Sequence, residues 1–236
     1  MLGKIVKKAC KSVVKCAFVA VMCVGSLEFV IGPAYSYGIS ESKSGIQKYA
    51  PYTQPLRDQL GANYCSSSVI SYKGRTFTVT NNHCCDYGLT LFGHDEIRVG
   101  DVIEKIIHQS AKHDVCVLTS YRRKSPIRLA NREFKKLEKV LVMGYPRGGF
   151  LTPRWGHYIA QDIEICIPGP MGMDCKLSNF VLAITYGGNS GSPVFNMRGE
   201  LVNLIYAGNM YIHTFGVTVP FRHVKDAISK AYDKTN

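Results

Sequence analysis

Long uncharged apolar runs are missing from this sequence. The candidate near the N-terminus is interrupted: Lys15 and Glu28 leave only twelve uncharged residues between them, short of the roughly 20 that a membrane-spanning helix needs. Acidic side chains are scarce, 17 Asp and Glu against 29 Lys and Arg in 236 residues, for a formal net charge of +12. Such an excess favours acidic peptides, anionic lipid or nucleic acid in a nonspecific way. No block of five or more like charges follows residue 15, which argues against a specific nucleic-acid interface. Cys-x-x-Cys is absent, so the usual four-ligand zinc site has no framework. Internal repeats and low-complexity tracts are absent as well. The length fits one two-lobed domain behind a short N-terminal segment.

That segment has the layout of an export signal over residues 1–36. Five lysines (Lys4, Lys7, Lys8, Lys11, Lys15) precede an apolar core at residues 16–25, followed by small residues. Ala34 and Ser36 supply the small side chains of a cleavage site after Ser36, and Ser26 is a second candidate. The competing reading is an uncleaved membrane anchor over about residues 13–34. The expected location is secreted or periplasmic, or membrane-tethered with the rest of the chain outside the cytoplasm.

Three of the nine cysteines fall in the signal, leaving Cys65, Cys84, Cys85, Cys116, Cys166 and Cys175. An even number fits an oxidising compartment, with buried free thiols as the alternative. Cys166 and Cys175 flank the turn-rich segment Ile-Pro-Gly-Pro-Met-Gly-Met-Asp, so a bridge closing that loop is expected.

Residues 37–62, rich in Ser, Tyr, Pro and Gln, show no period and read as an extended lead-in. Short β-branched runs follow at 67–72 and 75–80 around a Lys73-Gly74 hairpin turn, then at 97–107 and 115–118. A basic, non-periodic stretch at 122–139 suits a crossing between lobes, so lobe one is expected over about 63–125 and lobe two over about 138–236. Lobe two shows strands at 140–143, 158–167, 180–185, 194–196, 201–206 and 212–219, spaced as in a barrel or sandwich. Phe221, Val224, Ala227, Ile228 and Ala231 then recur at helical intervals, predicting a closing amphipathic helix. No second globular domain or peptide-binding module is read after it.

Within this β framework, Gly188-Asn189-Ser190-Gly191-Ser192-Pro193 holds a serine between small residues in a tight turn. A serine hydroxyl is a poor nucleophile at neutral pH and needs a histidine to accept its proton. His83, ending the run Thr78-Val79-Thr80-Asn81-Asn82-His83, is assigned as that base. Asp114, opening His113-Asp114-Val115-Cys116-Val117-Leu118, would bind the far ring nitrogen and fix the tautomer. The amides of Gly188 and Ser190 would form the oxyanion hole. His113 is the nearest rival base, but beside Asp114 on a strand it is expected to face the opposite way. The chain order His, Asp, Ser belongs to the chymotrypsin-type double β-barrel.

Together with Gly144-Tyr145-Pro146 and Asn196-Met197-Arg198-Gly199-Glu200-Leu201, these motifs resemble the trypsin-like serine peptidases, nearest to the catalytic domain of the HtrA-type bacterial proteases and related viral or phage enzymes. The resemblance covers about residues 63–230. It implies an all-β chain of two six-stranded antiparallel barrels with a C-terminal helix, the active site lying between them. It also implies a serine endopeptidase with a protein or peptide substrate, no cofactor and no metal. Cys65 with Cys84 resembles the bridge that pins the histidine loop in animal trypsin-like enzymes, which leaves Cys85 with Cys116. A metal site on His83, Cys84 and Cys85 is disfavoured because adjacent ligands chelate poorly.

Two positions depart from the family pattern. Asn189 replaces the aspartate that pairs with a newly cleaved N-terminus in digestive enzymes, so that zymogen switch is not expected. Ser192 replaces the commoner glycine. The primary pocket is expected to involve Ile184, Thr185, Tyr186, Ala207 and Gly208, with Gly216 on the far side. None is acidic, so a small or medium apolar side chain before the scissile bond is expected. The alternatives are a catalytically silent peptide-binding protein of the same fold, and an esterase using the same triad. The sequence is silent on oligomeric state.

Overall fold

A computed structural model describes residues 46–93, 95–169, 172–208 and 213–236. The N-terminal export signal and cleavage sites, the first part of the lead-in and His94 lie outside these residues. Among the described residues no helix is long and apolar enough to cross a membrane.

Twelve strands form two closed six-stranded barrels. The first contains β1 (Thr53–Arg57), β2 (Asn63–Tyr72), β3 (Arg75–Thr80), β4 (Glu96–Val99), β5 (Val102–Ser110) and β6 (Val115–Thr119), in the spatial order β1-β2-β3-β6-β5-β4. The second contains β7 (Lys139–Gly144), β8 (Thr152–Gly169), β9 (Gly172–Leu182), β10 (Pro193–Phe195), β11 (Leu201–Gly208) and β12 (Gly216–Val219), ordered β10-β11-β12-β9-β8-β7. Helix α1 (Asn82–Phe92) follows β3, and α2 (Phe221–Lys234) follows β12. This is the expected chymotrypsin-like architecture.

Local chemistry explains the connections. Lys73 and Gly74 have φ of 46° and 84°, the paired left-handed conformation of a two-residue hairpin turn, whose twist matches that of the flanking strands. They hold Tyr72 opposite Arg75 and Ser68 opposite Val79. The apolar run Val140-Leu141-Val142-Met143 is buried throughout because β7 has no solvent face. Val140 and Val142 pack with Val181, Val194 and Val202, whereas Leu141 and Met143 pack with Ile70, Phe77, Val115 and Val117 of the first barrel. Strand alternation thus builds a barrel interior and an interlobe core from one strand.

Helix α2 joins that interlobe core through Val224, Ala227, Ile228 and Ala231, and buries Phe221 as well. These are the five residues that the helical spacing selects, and each fully buried Val or Ile contributes about 1.5–3 kcal/mol relative to exposure. The crossing segment is stitched to both barrels: Ser71 N–H donates to Ile127 O at 2.7 Å and Ala130 N–H to Leu201 O at 2.8 Å. From it, half-buried Glu133 accepts the Phe221 N–H at 2.8 Å and the Asn179 amide at 2.7 Å. Burial raises the Glu133 pKa despite these donors.

Several details differ from the sequence reading, which has no helix over 82–92 and starts at 180 the strand that runs over Gly172–Leu182. Barrel one begins at Thr53, inside the segment read as a lead-in. Pro55 obscures β1 because proline breaks the strand pattern, yet Leu56 pairs with both Cys65 and Val99 and helps close the barrel. The run 97–107 divides into β4 and β5 about Gly100-Asp101, Gly100 having φ of 59°. Asp114 does not lie on a strand: it ends the 3-10 turn Ala111–His113 with φ 55° and ψ 47°. His113 therefore turns toward α2 and stacks on His223, ring centroids 3.7 Å apart. The segment between Cys166 and Cys175 is largely strand, the two cysteines lying directly opposite in the β8–β9 ladder.

Glu104, on β5, is 1% exposed. Its Oε1 accepts the Tyr121 N–H at 3.2 Å, and Thr78 and Arg122 act on the carboxylate from nearby. Burial pushes its pKa from 4.5 to about 7, offset in part by Thr78, Tyr121 and Arg122. The folded state therefore keeps a proton between pH 4.5 and about 7 that the unfolded chain has released, so this group makes stability fall as pH rises through that window and level off above it. Glu104→Gln is expected to remove that slope and to raise stability at pH 8 by up to about 3 kcal/mol. Urea unfolding of both proteins at pH 5 and pH 8 checks this. An equal effect of the substitution at both pH values would refute it.

Candidate active site

His83 is the second residue of α1, and the first turn of that helix is clamped from two sides. Cys84 bonds to Cys65 of β2 and Cys85 to Cys116 of β6. Adjacent positions on a helix point in different directions, so consecutive cysteines can reach two strands. Closing a loop of this size contributes roughly 3 kcal/mol in the chain-entropy model. The ligand atoms of Cys65, His83 and Cys84 lie within 4.8 Å of one another, but the two sulfurs are bonded to each other and carry no thiolate for a metal.

Across from α1, the Asp114 carboxylate is 6% exposed and the His83 side chain 47%. Asp114 Oδ1 accepts the His83 backbone N–H at 2.9 Å, and Oδ2 lies 2.9 Å from His83 Nδ1. An ionised carboxylate only accepts, so Nδ1 carries the ring proton and Nε2 keeps its lone pair. One buried side chain thus sets both the backbone and the tautomer of the histidine.

The turn around Ser190 is shaped by two left-handed glycines, Gly188 with φ 88° and Gly191 with φ 80°. A Cβ on Gly191 would stand 2.0 Å from Ser66 O and 2.2 Å from Thr80 Oγ1, so only glycine lets this turn meet the first barrel. The Gly187 carbonyl accepts the Arg147 N–H at 2.6 Å. In a trans peptide C=O and N–H point oppositely, so this bond turns the Gly188 N–H away from Arg147. Among the described residues the amides of Gly188 and Ser190 donate to no backbone carbonyl.

Two residues that sequence reasoning missed tie this turn to the histidine side. Asn81, fully buried, accepts the Gly191 N–H at 2.6 Å and donates to Asp114 O at 2.9 Å. Ser66, also buried, gives its N–H to Ser190 O at 2.7 Å and its hydroxyl to Gly188 O at 2.8 Å, and accepts the Tyr145 N–H at 2.9 Å. Asn81 stands within the motif that contains His83, but adjacent asparagines look alike until burial separates their roles. Ser66 carried no signal beyond its place in a strand.

The remaining expected positions lie nearby in part. Thr185 is 1% exposed and donates to Phe215 O at 2.9 Å. A Cβ at Gly208 would meet Thr185 Oγ1 at 2.6 Å, and one at Gly216 would meet Thr185 Cγ2 at 2.8 Å. Thr185 therefore sits directly against both glycines, which leave room for it by lacking a side chain. Ala207 adjoins Gly208 on β11, Ile184 is 39% exposed, and the Tyr186 ring lies 4.4 Å from that of His213. Ser192 fits because its partner is small: a Cβ at Gly144 would stand 1.8 Å from Ser192 Oγ.

Comparison with known proteins gives a consistent picture. The structure is similar to the active form of the Rv3671c protease of M. tuberculosis, with TM-score 0.63, 19% identity, and coverage of 80% of this chain and 85% of that one. It is also similar to the serine endoprotease of Yersinia pestis, with TM-score 0.60, 21% identity, and coverage of 81% and 66%. The HtrA-type protease AlgW with a tripeptide matches at TM-score 0.62 and 19% identity over 79% of this chain, which spans 62% of AlgW. At such identities the likeness establishes the fold. No curated protein matches the sequence. The family model of the trypsin-like peptidase domain matches residues 65–204. That span is more than half the chain and runs from the first bridged cysteine to the strand behind the Ser190 turn, so the chain belongs to the trypsin-like peptidases and is a serine endopeptidase.

Proposed function

We propose that the chain hydrolyses peptide bonds through an acyl-enzyme formed on Ser190. The observation that carries this reading is the His83 ring held by a buried carboxylate at 2.9 Å, with Nε2 left to accept a proton. Ser190 Oγ attacks the scissile carbonyl and passes its proton to His83 Nε2. The carbonyl oxygen becomes an oxyanion held by the Gly188 and Ser190 amides. His83 then protonates the departing amine, and water reverses the sequence to release the acid. Asp114 stays ionised and stabilises the imidazolium.

None of the expected pocket residues Ile184, Thr185, Tyr186, Ala207, Gly208 and Gly216 is acidic, so cleavage after a small or medium apolar side chain, and not after Lys or Arg, is expected. Three disulfides among the described residues favour an oxidising compartment, in keeping with export by the basic and apolar N-terminus, either cleaved or retained as a tether.

A fluorophosphonate probe tests this reading. Wild type is expected to label stoichiometrically and Ser190→Ala not at all, and the intact mass of the labelled protein also reads where its N-terminus lies. A folded wild type that never labels would instead favour a peptide-binding protein without turnover. Labelling with hydrolysis of esters but of no peptide would favour the esterase.

A further inference from the structure

Arg147 combines a fixed backbone with an uncommitted charge. It has φ 56° and ψ 26° inside the 3-10 turn Pro146–Gly148, a left-handed conformation that costs a non-glycine residue of order 1 kcal/mol. The turn is held from several sides. Arg147 N–H donates to Gly187 O at 2.6 Å, Gly148 N–H to Tyr145 O at 3.2 Å, and the Asn63 amide to Gly148 O at 3.1 Å. This anchors Arg147 directly against the peptide whose N–H is the proposed oxyanion donor. Its guanidinium lies 4.4 Å from the centre of the Tyr186 ring, which in turn packs on His213. Stacking restrains the guanidinium plane and leaves its in-plane N–H groups free for a carboxylate. Arg147 is exposed, and among the described residues no carboxylate pairs with it. Several other arginines are paired: Arg57 with Asp101, Arg132 with Glu138, Arg198 with Glu200, and Arg222 with Asp162. The neighbouring Gly187 is exposed, and an added Cβ there would meet nothing within 4 Å, so the approach to the guanidinium is open.

We propose that Arg147 forms a subsite for an acidic side chain of the substrate, adjoining the primary pocket and not lining it. An extended peptide advances about 3.3–3.6 Å per residue, so the guanidinium reads an Asp or Glu within about two positions of the scissile bond. The inference rests on Ser190 marking that bond. Desolvation and stacking favour Arg over Lys for this task, because the planar fork matches a carboxylate in two places.

The test uses peptides identical except for Asp, Ala or Lys at each of the two positions on either side of the cleaved bond. Wild type is expected to favour Asp over Lys by about three to ten times in kcat/KM at one or more of these positions at low salt, and less at 0.5 M NaCl because salt screens exposed charge. Arg147→Lys should weaken the preference, Arg147→Ala flatten it and Arg147→Glu reverse it. Anisotropy titration of the same peptides onto the Ser190→Ala protein, with and without Arg147→Glu, measures the preference without turnover. Absence of a charge preference in the Ser190→Ala titration would overturn the subsite, whether or not the probe labels Ser190. So would an Arg147→Glu protein in which all peptides weaken alike, since that is the signature of a purely structural arginine. An Arg147-dependent acidic preference in a wild type that cleaves no peptide would instead support the subsite while removing the peptidase reading.

Discussion

Asp114→Asn is expected to lower kcat by about four orders of magnitude with KM little changed, the scale associated with forcing the wrong histidine tautomer in a serine triad. The structure makes the direction of the effect specific. Asp114 Oδ1 accepts the His83 backbone N–H at 2.9 Å and Oδ2 faces Nδ1 at 2.9 Å. In the variant the amide oxygen keeps the backbone bond, because only it accepts, which presents the NH2 group to Nδ1. The ring then places its proton on Nε2, where it blocks transfer from Ser190. Size and burial are conserved, so the fold is expected to survive, and a near-native melting temperature establishes that. Steady-state kinetics near pH 8 give the answer. A loss below about tenfold would mean that the pair is structural and that His83 is not the base.

Gly188→Ala is expected to cost about 10²–10³ in kcat, the range for losing one oxyanion donor. The added Cβ would stand 2.5 Å from the Tyr145 carbonyl oxygen and 3.1 Å from the amides of Arg147 and Gly148. None of these is the free end of a flexible side chain. The φ of 88° is itself unfavourable for alanine. The peptide between Gly187 and Gly188 must rotate, breaking the 2.6 Å bond from Arg147 and swinging the Gly188 N–H out of line. Ser190 and His83 are untouched, so the variant should still label with a fluorophosphonate, but more slowly. Wild-type kinetics in a folded variant would show that the oxyanion donor lies elsewhere.

The parts of the site legible in advance were those whose chemistry is local. Ser190 stands between glycines because its turn needs left-handed backbone, and a glycine on either side of a serine is visible in a string of letters. His83 and Asp114 were legible through their β context and chain order. The context was imperfect, since His83 opens a helix and Asp114 ends a 3-10 turn. What the structure keeps of that context is a β-run leading into His83 and another following Asp114. Long-range partners were not legible. Ser66 and Asn81 each satisfy groups far along the chain, and a buried serine or asparagine looks like any other until the acceptor it faces is known. Arg147 carried no signal either, because the Tyr186 ring it faces lies far along the chain. β1 was hidden by Pro55.

By itself the sequence determined most of the strands, the closing helix and the glycine-bounded turn around Ser190, because alternation, helical spacing and left-handed turns are imposed by backbone geometry within a few residues. Tertiary structure alone decided that one strand alternates between a barrel interior and the interlobe core, that Asn81 and Ser66 lash the Ser190 turn to the histidine side, and that the Arg147 guanidinium lies over the Tyr186 ring. Those outcomes depend on hydrogen-bond partners and desolvation across the junction of two barrels, which only closure of both barrels supplies.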